Sequence, residues 1–288
     1  MATTFERVKA ALDLLVPRAA QLVTGSVDEL IGKHCRDLRL AYQGRLLQQG
    51  REPVNYSRPT TQLAYLYRTV PAHADWLVQA LATAPLAIEK VLATGNVKVA
   101  CIGGGPGTDV LGIVKYAEDF GYPKTSFQFD VLDREIGWNT PRGILTHQLG
   151  TKVSQRHQHL DLTEAGNWTS SWDFQDADIF TFIFSLSEVW CYNASGAVTD
   201  FLRRVVRHAK AGALFIYVDN GGENFPQIID EQVGKLPRLK LVGSRDNSQM
   251  RMRTSERRDS LEAPYMARFQ GERVKMGGDV SMRVWQKT

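Results

Sequence analysis

Residues 97–109 read Val97-Lys-Val-Ala-Cys-Ile-Gly-Gly-Gly-Pro-Gly-Thr-Asp109, a short apolar run that empties into glycines and leads into a helix-forming stretch. Such a run, bounded by glycine, predicts a strand covered on both faces over residues 97–102. Glycines at this turn let the backbone take positive φ and let a ligand approach where a Cβ would block it. The helix predicted over residues 109–120 offers unpaired N–H groups and a partial positive charge at its start.

Working outward toward the C-terminus, the alternation of strand and helix continues. Further strands are predicted over residues 127–132, 157–160, 179–184, 213–218, 239–242 and 280–285, and helices over 196–208 and 223–233. This order implies an α/β fold with a doubly wound, mostly parallel, seven-stranded sheet and right-handed crossovers. Residues 243–279 are polar and poorly periodic, which fits either a long hairpin excursion or a mobile loop.

Toward the N-terminus the period changes to that of helices. Phe5, Val8, Ala11, Leu12 and Leu15 recur at three- and four-residue spacing, one face of an amphipathic helix. Ser26, with Glu29 three residues on, forms a capping-box start for a helix through Leu30, His34, Leu38 and Tyr42 to near Gly50. A third helix starts after Pro59 and carries Leu63, Leu66, Tyr67 and Val70, and Pro71 breaks it before residues 72–83 resume. A short helix over 85–94 is closed by Gly95. The chain therefore divides into a helical lid or substrate region, 1–95, and a sheet domain, 96–288, carrying the 243–279 excursion.

Bulk properties bound the function classes. The 288 residues carry a net charge of +4, from 35 basic against 31 acidic residues, with 43% hydrophobic. That is an ordinary globular composition, too balanced to argue nucleic-acid binding from charge alone. Cys35, Cys101 and Cys191 form no CxxC pair, which argues against a zinc site or disulfide framework and for a reducing compartment. The first 37 positions carry charges throughout, and no apolar run of about 18 residues exists to span a membrane. The expectation is a soluble cytoplasmic or nuclear protein with no membrane or metal partner.

Three ligand types use a glycine loop of this kind. A triphosphate loop ends in Gly-Lys-Ser/Thr, which is absent here. A dinucleotide fingerprint needs glycine or alanine at the last position of GxGxxG, and counting from Gly103 through Gly105 reaches Thr108. A nicotinamide oxidoreductase also lacks support from any Tyr-x-x-x-Lys pair. What stands is GxGxG at Gly103, Gly105 and Gly107.

This loop resembles motif I of the class I S-adenosylmethionine-dependent methyltransferases. The resemblance spans residues 97 to about 242, roughly half the chain. It implies a Rossmann-like fold with S-adenosylmethionine as cofactor and S-adenosylhomocysteine as product. The loop residues Gly103, Gly104, Gly105, Gly107, Thr108 and Asp109 would cradle the cofactor. Asp133, at the end of the second strand, matches the acid that accepts the ribose hydroxyls, with Asp130 and Glu135 as neighbouring alternatives. Asp161 and Leu162 match the pair that contacts adenine, the carboxylate taking the exocyclic amine. More loosely, residues 179–188 with 209–224 resemble uncharacterised methyltransferases related to the fungal large-subunit ribosomal RNA uridine methyltransferases. Those also pair a Gly-Gly-Gly-Pro-Gly loop with a hydrophobic-Ser-x-Ser/Asn-Glu strand end.

One position departs from the family. Many members carry an acid two residues before the first glycine, near the cofactor's ammonium group, where this chain has Cys101. The ammonium then needs another partner, a backbone carbonyl or a helix-cap residue, and Cys101 reads as a small buried strand residue.

In open α/β sheets, ligands bind beyond the carboxyl ends of the strands. The fourth such end is Ser185-Leu-Ser-Glu-Val-Trp190. Glu188 there could accept a proton or orient a substrate amine, with Ser185 or Ser187 hydrogen-bonding cofactor or substrate. Equally, Glu188 and the serines could cap the next helix. No Asn/Asp-Pro-Pro-Tyr/Phe motif is present, which disfavours nucleobase amino groups, and no Pro-Cys motif, which disfavours carbon-5 pyrimidine chemistry.

Upstream, Tyr65, Tyr67 and Arg68 could close over a cofactor carboxylate or form a packing stripe, and His73 is either a base or structural. Arg251, Arg253, Arg257 and Arg258 could contact phosphates, but Asp246, Glu256, Asp259 and Glu262 dilute them into a solvated loop face. Trp168, Trp172 and Trp190 could stack on an aromatic substrate or pack. The reading is a methyltransferase acting on an N or O acceptor of a small molecule or RNA. A non-catalytic binding fold and an NAD(P)-dependent oxidoreductase are the alternatives.

Overall fold

The computed structural model describes residues 2–43, 54–164, 174–190, 193–221 and 225–288. Trp168, Trp172, Cys191 and the predicted helix end near Gly50 lie outside these residues.

Five helices precede the sheet: α1 (Thr4–Ala20), α2 (Val27–Gln43), α3 (Pro59–Arg68), α4 (Val70–Leu81) and α5 (Pro85–Leu92). Helix α1 starts on a capping box, Thr3 accepting the Glu6 N–H while the Glu6 carboxylate accepts the Thr3 N–H. Ser26 accepts the Glu29 N–H at 3.3 Å, as the start of α2 predicts. Pro71 stands in the first turn of α4, where its missing N–H costs nothing, so the break falls at Thr69.

The sheet contains β1 (Asn96–Ile102), β2 (Ser126–Asp133), β3 (Val153–His159), β4 (Ile179–Ile183), β5 (Leu214–Asn220), β6 (Leu239–Arg251) and β7 (Gly277–Lys287). Connecting helices are α6 (Thr108–Asp119), α7 (Asn139–His147), α8 (Leu186–Trp190), α9 (Ala197–His208), α10 (Phe225–Ile229) and α11 (Asp259–Tyr265). The strand order is β3-β2-β1-β4-β5-β7-β6, with β7 antiparallel to both neighbours and the other pairs parallel. This is a Rossmann-like sheet whose order reverses between β1 and β4, the place where such sheets form a ligand crevice.

Alternation along the strands divides the interior into two cores. Val97, Val99 and Cys101 of β1 with Leu214, Ile216 and Val218 of β5 face the N-terminal helices and α6. Ala100, Ile102, Phe180, Phe182, Phe215 and Tyr217 face α9 on the other side. Helices α4 and α6 cross closely at Gly112, where a Cβ would stand 2.9 Å from the Ala74 carbonyl. The N-terminal helices thus complete the layer over one sheet face.

Two strands depart most from their predicted spans, the others differing by one to three residues at an end. Strand β3 runs over Val153–His159 rather than 157–160, pairing with β2 from Phe127↔Val153 to Asp133↔His159. It pairs on one side only and stays partly exposed, so its Ser, Gln, Arg and His residues carry no apolar signal. Strand β6 continues to Arg251 instead of stopping at residue 242, because register shifts at Leu241/Gly243 and Arg245/Ser248 break the alternation that marks a strand. The 243–279 excursion is therefore a hairpin, closed by α11 packing on α1.

The basic stretch in that hairpin is divided: Arg251 and Arg257 are exposed, as a solvated face predicts, while Arg253 and Arg258 are partly buried and engaged internally. Arg253 Nε donates to Asp75 Oδ1 at 2.5 Å and its Nη1 to Asp119 at 2.8 Å. Arg258 pairs with Glu262 at 2.6 Å, and Arg257 approaches Glu6 at 3.7 Å. These side chains tie the hairpin to α1, α4 and α6.

Candidate cofactor and catalytic site

The carboxyl ends of β1, β2, β3 and β4 open onto one pocket. Its lining includes residues 103–106, Thr108, Asp109, Asp133, Asp161, Leu162, Ser185 and Glu188. The sequence-named residues of four separate segments therefore meet in one cavity.

The loop is held by glycine geometry. Gly103, Gly105 and Gly107 have φ of 68°, 26° and 88°, values that side chains with a Cβ rarely adopt. At Gly104 the reason is space: a Cβ would stand 2.7 Å from the Cys101 Cβ and 2.9 Å from Val131. Gly107 does not line the pocket; it caps α6, and a Cβ there would meet Arg142 at 3.0 Å. Arg142 is fully buried and donates to the Gly105 carbonyl at 2.7 Å, fixing the loop from α7.

Asp133 stands at the end of β2. Its Oδ2 accepts the Gly105 N–H at 2.9 Å, and its Oδ1 accepts the Glu135 N–H at 2.8 Å. Burial raises its pKa, while these two backbone donors and Arg142 oppose the rise. Trp138 lies beside it, with Nε1 3.2 Å from where a Gly105 Cβ would project. Asp161 closes a turn by accepting Thr163 N–H at 2.9 Å, and Leu162 lies next to it on the wall.

At the end of β4, Phe184 takes a φ of 53°, a left-handed conformation that turns the chain sharply into α8. Ser185 follows, its Cβ only 2.5 Å from where a Gly103 Cβ would stand. The loop glycine and Ser185 thus touch because neither is larger. Ser187 donates its N–H to Asp219 Oδ2 at 2.9 Å, which ties the β4 end to the β5 end. Glu188 is half-buried and lines the pocket, and Tyr42 donates to it from α2. Burial pushes Glu188 up to about 7, against the Tyr42 hydrogen bond.

Tyr42 and Tyr56 share a hydrogen bond. Tyr56 and Tyr65 meet edge to face at 5.5 Å, and both pack against Trp138, with centroids 5.5 and 5.9 Å away. Tyr56, Tyr65, Trp138 and Phe184 therefore form an aromatic wall of the same pocket. Sequence reasoning missed Tyr42, Tyr56, Trp138 and Arg142 as site residues. Tyr56 and Trp138 lie outside any apolar run, and a lone arginine in a helix carries no motif.

Three sequence-named residues lie elsewhere. Tyr67 donates to the Glu272 carbonyl at 2.7 Å, and Arg68 to the Arg273 carbonyl at 2.8 Å, away from the pocket. Tyr65 and Tyr67 stand two apart on α3, so they project to different faces and only Tyr65 reaches the pocket. His73 does not line the pocket; its ring stacks on Phe184 at 3.5 Å, and Lys275 Nζ lies 3.3 Å from its Nε2. Burial, with Lys275 adding to it, pushes His73 well below its ordinary value and holds it neutral.

Among the described residues, no group of three or more His, Cys, Asp or Glu side chains is placed to hold a metal ion. No helix among them is long and apolar enough to cross a membrane.

No protein family's profile matches the chain, and no curated protein does. Solved structures are similar at the level of overall shape. The 16S rRNA methylase ArmA aligns over 92% of this chain and 100% of its own, at 13% identity and a TM-score of 0.43. The [4+2]-cyclase SpnF aligns over 74% and 81%, at 14% identity and a TM-score of 0.43. TehB from Haemophilus influenzae aligns over 71% of this chain at 12% identity and a TM-score of 0.41. That alignment spans 62% of TehB, less than two thirds of its length. The fold of this chain is defined by its own strand order, not by these distant likenesses.

Proposed function

We propose that this protein is an S-adenosylmethionine-dependent methyltransferase. The observation that carries the reading is the Asp133–Gly105 hydrogen bond at 2.9 Å, inside a pocket also lined by Asp161 and Glu188. In this reading Asp133, held against the glycine loop, accepts the ribose hydroxyls. Asp161 and Leu162, on the lining of the same pocket, are the residues that would contact the adenine ring. The tight contacts at Gly103 and Gly104 are with Ser185, Cys101 and Val131, and they fix the shape of the loop that lines the pocket.

Charge favours this cofactor over a dinucleotide. Among the described residues, the pocket lining holds Asp109, Asp133, Glu135, Asp161 and Glu188 against one cation, Arg134. Arg134 itself lies 3.9 Å from Asp161. An acidic lining suits a ligand bearing sulfonium and ammonium groups and repels a pyrophosphate.

When bound, S-adenosylmethionine supplies an electrophilic methyl group on sulfur. The protein's part is to align an acceptor and keep water out. Tyr56, Tyr65, Trp138 and Phe184 form the water-excluding wall. Glu188 accepts the proton that an N–H or O–H acceptor releases, its raised pKa matching that task near neutral pH. Tyr42 orients the carboxylate. Ser185, whose Oγ is buried with no hydrogen-bond partner among the described residues, supplies a polar contact at the β4 end. His73, neutral and stacked behind Phe184, supports the wall rather than moving protons. The acceptor is a small molecule or RNA carrying an N or O nucleophile.

Thermal-shift titration with S-adenosylmethionine, NAD and ATP tests the reading. A ligand at 100 times its Kd adds about 2.7 kcal/mol to stability. S-adenosylmethionine alone should raise the melting temperature. A shift with NAD and none with S-adenosylmethionine would contradict the reading.

A further inference from the structure

Among the described residues Asp109 is the most heavily buried carboxylate lining the pocket, at 2% exposure, and its Oδ1 has no hydrogen-bond partner among them. It stands in the first turn of α6, between the glycine loop and the β4 end. An acid in a first helical turn ordinarily serves the helix dipole, worth about 0.3–1 kcal/mol at an exposed site. Burying a carboxylate oxygen that no hydrogen bond meets costs more than that, so the dipole alone does not account for this residue. No arginine or lysine among the described residues forms an ion pair with it. Burial pushes its pKa up to about 6, against hydrogen bonds from the Thr181 side chain and its own backbone N–H, with the Asp133 charge adding to the rise.

Cys101 lies close by on β1, near enough that the Asp109 charge raises its thiol further beyond what burial does. Cys101 is neutral and fully buried, so it offers no charge to a ligand. Ser185 Oγ, on the lining of the same pocket, is also buried and has no hydrogen-bond partner among the described residues. The β1–β4 junction therefore holds a carboxylate and a hydroxyl with unmet hydrogen-bonding capacity, both facing one cavity.

We propose that Asp109 pairs with the α-ammonium group of S-adenosylmethionine, the charge that position 101 cannot meet because it is cysteine. The assignment rests on the methyltransferase reading above. Asp133 and Asp109 then divide the cofactor between them: one holds the nucleoside end, the other the amino-acid end. Ser185 adds a neutral hydrogen bond to the amino-acid end.

The experiment compares two ligands that share a nucleoside and differ in the amino-acid end. S-adenosylhomocysteine and 5′-methylthioadenosine are titrated calorimetrically into wild type, Asp109→Asn and Asp109→Ser. Asparagine keeps the shape and removes the charge, and serine guards against a repacking effect peculiar to the amide; thermal melts check that both fold. The expected result is a loss of roughly tenfold or more in S-adenosylhomocysteine affinity, as for a charge-assisted bond. Methylthioadenosine affinity should stay within about twofold in both variants. Unchanged S-adenosylhomocysteine binding in the variants overturns the assignment. So does an equal loss for both ligands, which would mark Asp109 as a structural support of the whole pocket. If wild type binds neither ligand, the cofactor reading fails, and the role of Asp109 with it.

Discussion

The two sides of the pocket are built by different means. The loop side is made of backbone: Gly103, Gly104 and Gly105, pinned by Asp133 and Arg142 through hydrogen bonds to the Gly105 N–H and carbonyl. The rest of the lining is made of side chains from distant segments. Tyr42 reaches Glu188 across 146 positions of sequence, and Tyr56, Tyr65 and Trp138 arrive from three further places. A backbone wall tolerates no added atoms but needs few particular side chains. A side-chain wall tolerates some change in bulk but depends on which polar group faces the cavity. Substitutions should therefore fail differently on the two sides.

The largest effect is expected on the loop side. Gly104→Val would push a side chain into Cys101 and Val131, at 2.7 and 2.9 Å already for the Cβ. It should destabilise the fold by about 1–3 kcal/mol and abolish cofactor binding, measured by chemical denaturation and titration. Normal cofactor affinity in this variant would break the contrast between the two walls.

The next effect belongs to the side-chain wall. Glu188→Gln should lower methyl transfer by about 10²–10⁴-fold, with S-adenosylhomocysteine affinity within about twofold of wild type. Equal losses in rate and binding would instead make Glu188 part of the cofactor site.

A smaller effect sharpens the same assignment. Glu188, at about 7, accepts a proton only when ionised, so the single-turnover rate should rise as pH rises through about 7 and then level off. Tyr42 favours the carboxylate form, so Tyr42→Phe should move that midpoint upward by about one unit. A downward or absent shift would detach Tyr42 from proton transfer.

The smallest effect is on stability. Burial raises Asp109 and Asp219 to about 6 and Glu188 to about 7. In the unfolded chain such groups titrate near 4, so between about pH 4 and 7 the unfolded state binds fewer protons than the folded one. The melting temperature of the ligand-free protein should therefore fall as pH rises through that window. Asp109→Asn should flatten the fall, while a melting temperature that rises over the same range would contradict the raised values.

The same contrast explains what could be read in the sequence. The loop, Asp133, Asp161 and the β4 end were legible because a buried parallel sheet writes short apolar runs, and its ligand end writes glycines and acids just after them. Strand β3 was legible only in part, since an edge strand half-open to water keeps polar residues throughout its length. Strand β6 was cut short at residue 242 by a bulge that shifts its alternation. The aromatic wall was illegible for a different reason. Tyr42 looked like one more apolar-face residue of α2, and nothing in its neighbourhood names Glu188 as its partner. Tyr67, two residues past the Tyr65 that does reach the pocket, shows the converse: the right residue type on the wrong face of a helix, while Arg68, at the last residue of α3, is drawn off by the Arg273 carbonyl.

The central claim, that Asp133 and the glycine loop hold the adenosyl part of S-adenosylmethionine, is tested most directly by calorimetry on wild type and Asp133→Ala. S-adenosylhomocysteine and NAD are each titrated into both proteins. Of the two ligands only S-adenosylhomocysteine should bind wild type, and its affinity should fall by roughly a hundredfold in the variant, as when two hydrogen bonds to a carboxylate are lost. Binding of NAD without S-adenosylhomocysteine, or S-adenosylhomocysteine binding that survives Asp133→Ala unchanged, would contradict it.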